Sequence, residues 1–102
     1  RDFVYVKDCI KIIDCFQKGK GGNGIFNVGT GKASTWNSLA KNVFKCFGIK
    51  PNIKYIDMPN NIQKHYQYFT QAEMTKLRAR GWSKPFYDLS SGISDYYINF
   101  IK

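Results

Sequence analysis

Acidic residues are scarce in this chain. Seven Asp and Glu stand against 16 Lys and Arg, which leaves a formal net charge of +9. There is one histidine, His65, and there are three cysteines, Cys9, Cys15 and Cys46. A lone loop histidine is more often a bystander than a base, and no Ser/Cys–His–Asp arrangement can be placed around it. The cysteines are odd in number and match no zinc spacing, so no metal site is expected. Cys9 falls on an apolar helix face, and a reduced, cytoplasmic setting is the expectation. No apolar run approaches the ~18 residues of a membrane span, and no signal-peptide pattern appears. The initiator methionine is also missing. The chain opens on the strand-like "RDFVYV", which reads as a piece cut from something longer.

What is present suffices for folding. Of the 102 residues, 43% are hydrophobic and 17% aromatic, enough for one domain or part of one. The positive charge raises nucleic-acid binding as an alternative, with "HYQYF" supplying rings for stacking. Against it, the lysines are scattered from Lys7 to Lys102 and are nowhere denser than Lys18 and Lys20. Lysine outnumbers arginine 13 to 3, and Ile, Asn, Tyr and Phe abound, a mixture that AT-rich codons produce. No nucleic acid and no membrane are therefore expected as partners.

The stretch "GKGGNG", Gly19 to Gly24, has the G-x-G-x-x-G spacing of a dinucleotide-binding turn. That fingerprint needs a strand before it and a helix after it. Here the order is reversed. Cys9, Ile12, Ile13 and Phe16 repeat at helical spacing with Asp8 as N-cap, and "GIFNV" follows as a strand. The glycines therefore read as a helix stop. "GTGKAS" resembles a phosphate loop but lacks its leading glycine spacing and has Ala33 where Ser or Thr would hold magnesium.

The remaining elements follow from spacing and caps. "DFVYV" and "IKYI" (53–56) read as strands. Trp36, Leu39, Ala40, Val43, Phe44 and Phe47 predict a helix capped by Ser34 or Thr35 and stopped by Gly48 and Pro51. Thr70 and Glu73 form a capping box for a helix ending at Gly81, with Phe69 and Met74 as its hydrophobic staple. A last helix runs from Leu89 to about Ile101, capped by Asp88, with Leu89, Ile93, Tyr96, Tyr97 and Phe100 inward. The pattern is βαβαβαα, an α/β class. By itself it describes a small basic α/β domain.

The runs "RDFVYVKDC", "GIFNVGTGKASTWNSLA" and "IKYIDMP" resemble the closing part of an extended short-chain dehydrogenase/reductase. "YQYFTQAEMTKLRARGWSKPF" narrows the resemblance to the ADP-glyceromanno-heptose 6-epimerase family, and it covers essentially all 102 residues. The resemblance implies an isomerase of lipopolysaccharide core precursor synthesis that inverts C6 of an ADP-heptose by transient oxidation. It implies NADP as cofactor, bound by an N-terminal Rossmann domain missing from this chain, and a homo-oligomeric full-length enzyme. Residues 1–102 would be its C-terminal substrate-binding portion, a single partial domain.

The Tyr-x-x-x-Lys pair that does the proton work in such enzymes does not occur here, so no catalytic residue is assigned and the chain alone is expected to be inactive. Two substrate-binding positions carry over. Arg1 matches the family's arginine to the nucleotide diphosphate, where its planar fork suits phosphate oxygens. Tyr66 matches its substrate-contacting tyrosine. Without the resemblance, Arg1 reads as a frayed terminal residue and Tyr66 as an aromatic lid over the second helix. Gln63 and Lys64 stand where the family usually carries Lys-Gly, and "IDMP" replaces "IPFP". The substrate-binding end of another nucleotide-sugar epimerase or dehydratase is the nearer alternative.

Overall fold

In a computed structural model, which describes residues 1–102, the chain is helical and contains no β-strand. Five α-helices occur: α1 (Val6–Gln17), α2 (Trp36–Cys46), α3 (Asn60–Gln63), α4 (Thr75–Ala79) and α5 (Leu89–Tyr96). A π-helical turn, Tyr97–Ile101, continues α5. The expected βαβαβαα order is thus corrected: the helices are found, but "DFVYV", "GIFNV" and "IKYI" pair with nothing. A strand exists only through the ladder it shares with a neighbour. Outside the helices, the backbone–backbone bonds close local turns and caps, apart from the pairing of Ser34 with Arg1. Ile25, Tyr55 and Ile56 are 88%, 71% and 81% exposed, so these residues lack packing as well as a ladder.

Helix α1 begins earlier than its periodicity suggests. Tyr5 is its N-cap, and Asp8 lies inside the first turn. The Asp8 side chain is buried and accepts the Tyr87 N–H at 2.8 Å, tying α1 to the segment before α5. Ile12 is core, whereas Ile13, expected beside it, is exposed. The helix ends at the glycine run as expected: Gly19 has φ +73° and donates to Phe16 O.

The capping box at Thr70 is not formed. It would need the Glu73 carboxylate on the Thr70 N–H, but residues 70–74 lie outside any helix, with the Ala72 N–H donating to Asp2 at 3.0 Å. Helix α4 starts only at Thr75, where Glu73 accepts the Thr75 N–H and hydroxyl. Phe69 is exposed while Met74 is buried, so the staple does not form either. By contrast α2 and α5 carry the expected caps, Thr35 accepting from Ser38 N and Asp88 from Ser91 N. Tyr96 and Phe100, expected inward on the last helix, are exposed.

The core is small: Ile12 of α1, Met74 and Leu77 around α4, and Trp82 just after it, bordered by Phe16, Phe26 and Phe86. A second apolar region lies where α2 meets α5. There a groove of about 470 Å³ opens between the N-terminal segment and both helices, lined by Val4, Leu39, Val43, Phe47, Ile93 and Ile101 among others. Tyr5 and Lys7 hold the N-terminal segment to α5 through Asp95, at 2.5 and 2.6 Å.

Candidate ligand site at the amino-terminal arginine

Arg1 and Asp2 begin the site, and the two do opposite jobs. Asp2 is fully engaged. Its carboxylate accepts Thr30 N at 2.9 Å, Thr30 Oγ1 at 2.5 Å, Gly31 N at 2.9 Å and Ala72 N at 3.0 Å. Burial would raise its pKa, but these four bonds outweigh it and hold the carboxyl below its ordinary value. The clamp draws the "VGTGKA" loop against residues 71–72, and Gln71 Oε1 adds a bond from Ala33 N at 3.0 Å. The approach is close enough to require glycine. A Cβ at Gly29 would lie 2.6 Å from both Asp2 Oδ2 and the Ala72 Cβ.

Arg1, next door, is pinned only through its backbone. Its amino group donates to Ser34 O at 2.8 Å, and Ser34 N donates to Arg1 O at 2.8 Å. The guanidinium makes neither a hydrogen bond nor an ion pair, since the three ion pairs of the chain all belong to lysines. Asp2 cannot serve it because its oxygens are occupied by the loop. The guanidinium instead lies over the Tyr66 ring, 4.9 Å from its centroid.

Tyr66 is therefore in contact with Arg1, and the two candidates that the sequence places 65 residues apart come together. Tyr66 follows α3, with the Tyr68 ring edge-on at 5.2 Å. Its hydroxyl accepts the Trp36 indole N–H at 3.0 Å. Trp36 is the first residue of α2, immediately after the Thr35 cap, and Phe3 meets its ring edge-on at 4.9 Å. Residues 34, 35 and 36 thus bind Arg1, cap α2 and reach Tyr66 in succession.

Sequence reasoning missed Asp2 and Trp36. The signal for Asp2 was the pairing of an acidic residue after Arg1 with a loop rich in free N–H groups, "GTG". Trp36 was read as core spacing alone, yet it is 55% exposed. His65, next to Tyr66, donates its backbone N–H to Ile62 O at 3.0 Å.

Three curated proteins similar to the chain share one name. An ADP-L-glycero-D-manno-heptose-6-epimerase from Nitratidesulfovibrio vulgaris (strain DP4) is 46% identical over 101 residues, covering 99% of this chain and 31% of the relative. One of the same name from the Hildenborough strain matches equally. A third, from Fusobacterium nucleatum, is 37% identical over 107 aligned residues, covering 99% of the chain and 32% of the relative. The chain belongs to the ADP-L-glycero-D-manno-heptose-6-epimerase family. No protein-family model matches it. It spans about a third of the length of these epimerases and corresponds to a C-terminal fragment of them.

The departure from the epimerase pattern before Tyr66 has a structural answer. Lys64, in place of glycine, is the C-cap of α3 at φ −66°, ψ −25°, an ordinary right-handed conformation. No residue other than glycine has positive φ anywhere in the chain. Lys64 is therefore unstrained where the resemblance would place glycine, and Tyr66 reaches Trp36.

Proposed function

We propose that this chain is the substrate-binding part of an ADP-glyceromanno-heptose 6-epimerase. Arg1 would hold the nucleotide diphosphate and Tyr66 would donate a hydrogen bond to the same ligand. The observation that carries the reading is the meeting of two unspent donor groups. The Arg1 guanidinium has all its N–H groups free, and the Tyr66 hydroxyl accepts one bond but donates none. A planar cation beside a free O–H suits a ligand with several anionic oxygens, and a diphosphate is the nearest such group in the relatives' name. The N-terminus of α2, two residues from Ser34, adds favourable partial charge.

The whole enzyme would invert C6 of the heptose in the cytoplasm, for lipopolysaccharide core synthesis, as a homo-oligomer. NADP would be its cofactor, but the residues of this chain do not fit it. The glycines of "GKGGNG" follow helix α1, and Gly21 lies against the Phe16 ring, where a Cβ would stand 2.3 Å away. No tyrosine–lysine pair is available for proton transfer. The chain's own contribution is therefore to bind and orient the diphosphate end of the substrate, and by itself it should turn nothing over. Titration of the full-length protein with ADP tests the reading. Micromolar or tighter binding that is weakened at least tenfold in Arg1→Ala is expected, and an unchanged affinity would refute it.

A further inference from the structure

We propose that Trp36 is a positioning residue of this site, acting on the ligand only through Tyr66. The proposal rests on the reading of Arg1 and Tyr66 given above. An indole nitrogen is a donor and never an acceptor, whereas a phenol can do both with a single proton. The 3.0 Å bond from Trp36 Nε1 to Tyr66 Oη therefore fixes the direction of hydrogen bonding. Tyr66 must accept on the helix side, and its own proton is left for another acceptor. No protein group takes that proton. An accepted bond also polarises the hydroxyl and makes it a better donor.

Trp36 can impose this arrangement because it is itself held. Its backbone opens α2 behind the Thr35 cap, whose Oγ1 accepts Ser38 N at 3.0 Å. Phe3 stands edge-on to its ring. Because the Tyr66 ring is also the platform under the Arg1 guanidinium, rotation of the phenol would displace both donors together. Phenylalanine at position 36 keeps an aromatic ring for Phe3 but supplies no N–H for Tyr66.

The test is a double-mutant cycle in the full-length protein, with ADP affinity measured by calorimetry. Trp36→Phe should weaken ADP binding about 3- to 10-fold, the worth of one ordinary hydrogen bond. Tyr66→Phe should weaken it at least as much. In the Tyr66→Phe background, Trp36→Phe should then change affinity less than twofold, because its only route to the ligand has gone. If Trp36→Phe does not fold, an isosteric benzothienylalanine at position 36 removes the N–H with the shape retained. Arg1→Ala is the separate control. If it leaves ADP affinity unchanged, the diphosphate reading falls and the Trp36 role falls with it. If it weakens binding while the Trp36 effect is absent, or multiplies independently with that of Tyr66, the positioning role alone is overturned.

Discussion

Arg1 and Asp2 are neighbours of opposite charge that do not pair, and each is explained by what the other does not do. Asp2 spends its lone pairs on three backbone N–H groups and a hydroxyl, which leaves the Arg1 guanidinium without a carboxylate partner. On the proposed reading, Arg1→Ala in the full-length protein should weaken substrate binding by about 1.5–3 kcal/mol, the usual worth of a hydrogen bond to a charged group. The loss belongs in KM, with kcat retained, because a diphosphate contact is alike in ground and transition states. Arg1→Lys should recover only part of it, since an ammonium keeps the charge and loses the fork. Steady-state kinetics on both variants checks this, and equal KM values for Arg1→Ala and the parent would end the assignment. Asp2 gives a pH prediction. Its folded pKa lies below the ordinary 3.8, so its stabilising contribution is complete above that value. It is lost as pH falls below 3.8 and through the lower folded pKa. Asp88 and Asp95 are shifted the same way by their own hydrogen bonds, so Asp2→Asn should reduce, without abolishing, the acid sensitivity of thermal stability. An unchanged pH profile in Asp2→Asn would mean that the Asp2 carboxyl titrates alike in the folded and unfolded chain.

Two threonines, each followed three residues later by a polar side chain, separate what could be read in the sequence from what could not. Thr35 caps α2 as its neighbours predict, because everything the cap needs lies within four residues. Thr70 has an equally good local pattern, but residues 70–74 stay outside the helix, where the Ala72 N–H donates to Asp2, 70 residues away, and Glu73 turns to Thr75. Thr35→Ala should therefore cost about 1 kcal/mol of stability and Thr70→Ala less than about 0.5 kcal/mol. Urea unfolding of the two variants decides it, and equal losses would restore the capping box. Helices α2 and α5, with their caps and the glycine stops, were legible for the same local reason. The strands were not. A β-branched, aromatic run such as "GIFNV" declares a preference for a pleated, half-buried surface and says nothing about whether a partner is there to complete the ladder. Within the site, Arg1 and Tyr66 were reached through the family resemblance. Trp36 was overlooked because helical spacing cannot tell a core ring from one that reaches 30 residues along the chain to a hydroxyl. Gly29 was legible as a loop glycine. Its reason, the 2.6 Å approach to Asp2, was not.

At the scale of the molecule the numbers describe a slab. Its extents are 46 × 38 × 17 Å, and a helix with its side chains is about 10–12 Å across, so the thin dimension holds little more than one layer. Domains ordinarily bury apolar faces between two layers. Here only 8 of 102 residues are buried, and the radius of gyration, 16.4 Å, exceeds the roughly 13 Å of a compact chain this long. The surface of 7909 Å² likewise exceeds the roughly 5,900 Å² expected for a folded monomer of 11.8 kDa. Much of the excess is apolar: Val6, Ile10, Ile13, Phe47, Ile98 and Phe100 are all exposed, Val6 and Phe47 among them lining the α2–α5 groove. Exposed apolar area of this extent weakens the cooperativity of unfolding, because little surface remains to be uncovered. The purified 102-residue polypeptide should therefore bind ANS strongly at neutral pH. Its urea transition should be broad, with an m-value below about 1 kcal/mol/M, the low end for small proteins. The +9 charge should add only weak association with single-stranded RNA that falls as salt rises, because the lysines that would bind phosphate are dispersed over the slab. Urea titration with ANS fluorescence and far-UV circular dichroism in parallel separates the outcomes. A steep transition coincident in both probes, without ANS binding in the starting state, would show that these 102 residues pack more tightly than a single layer allows.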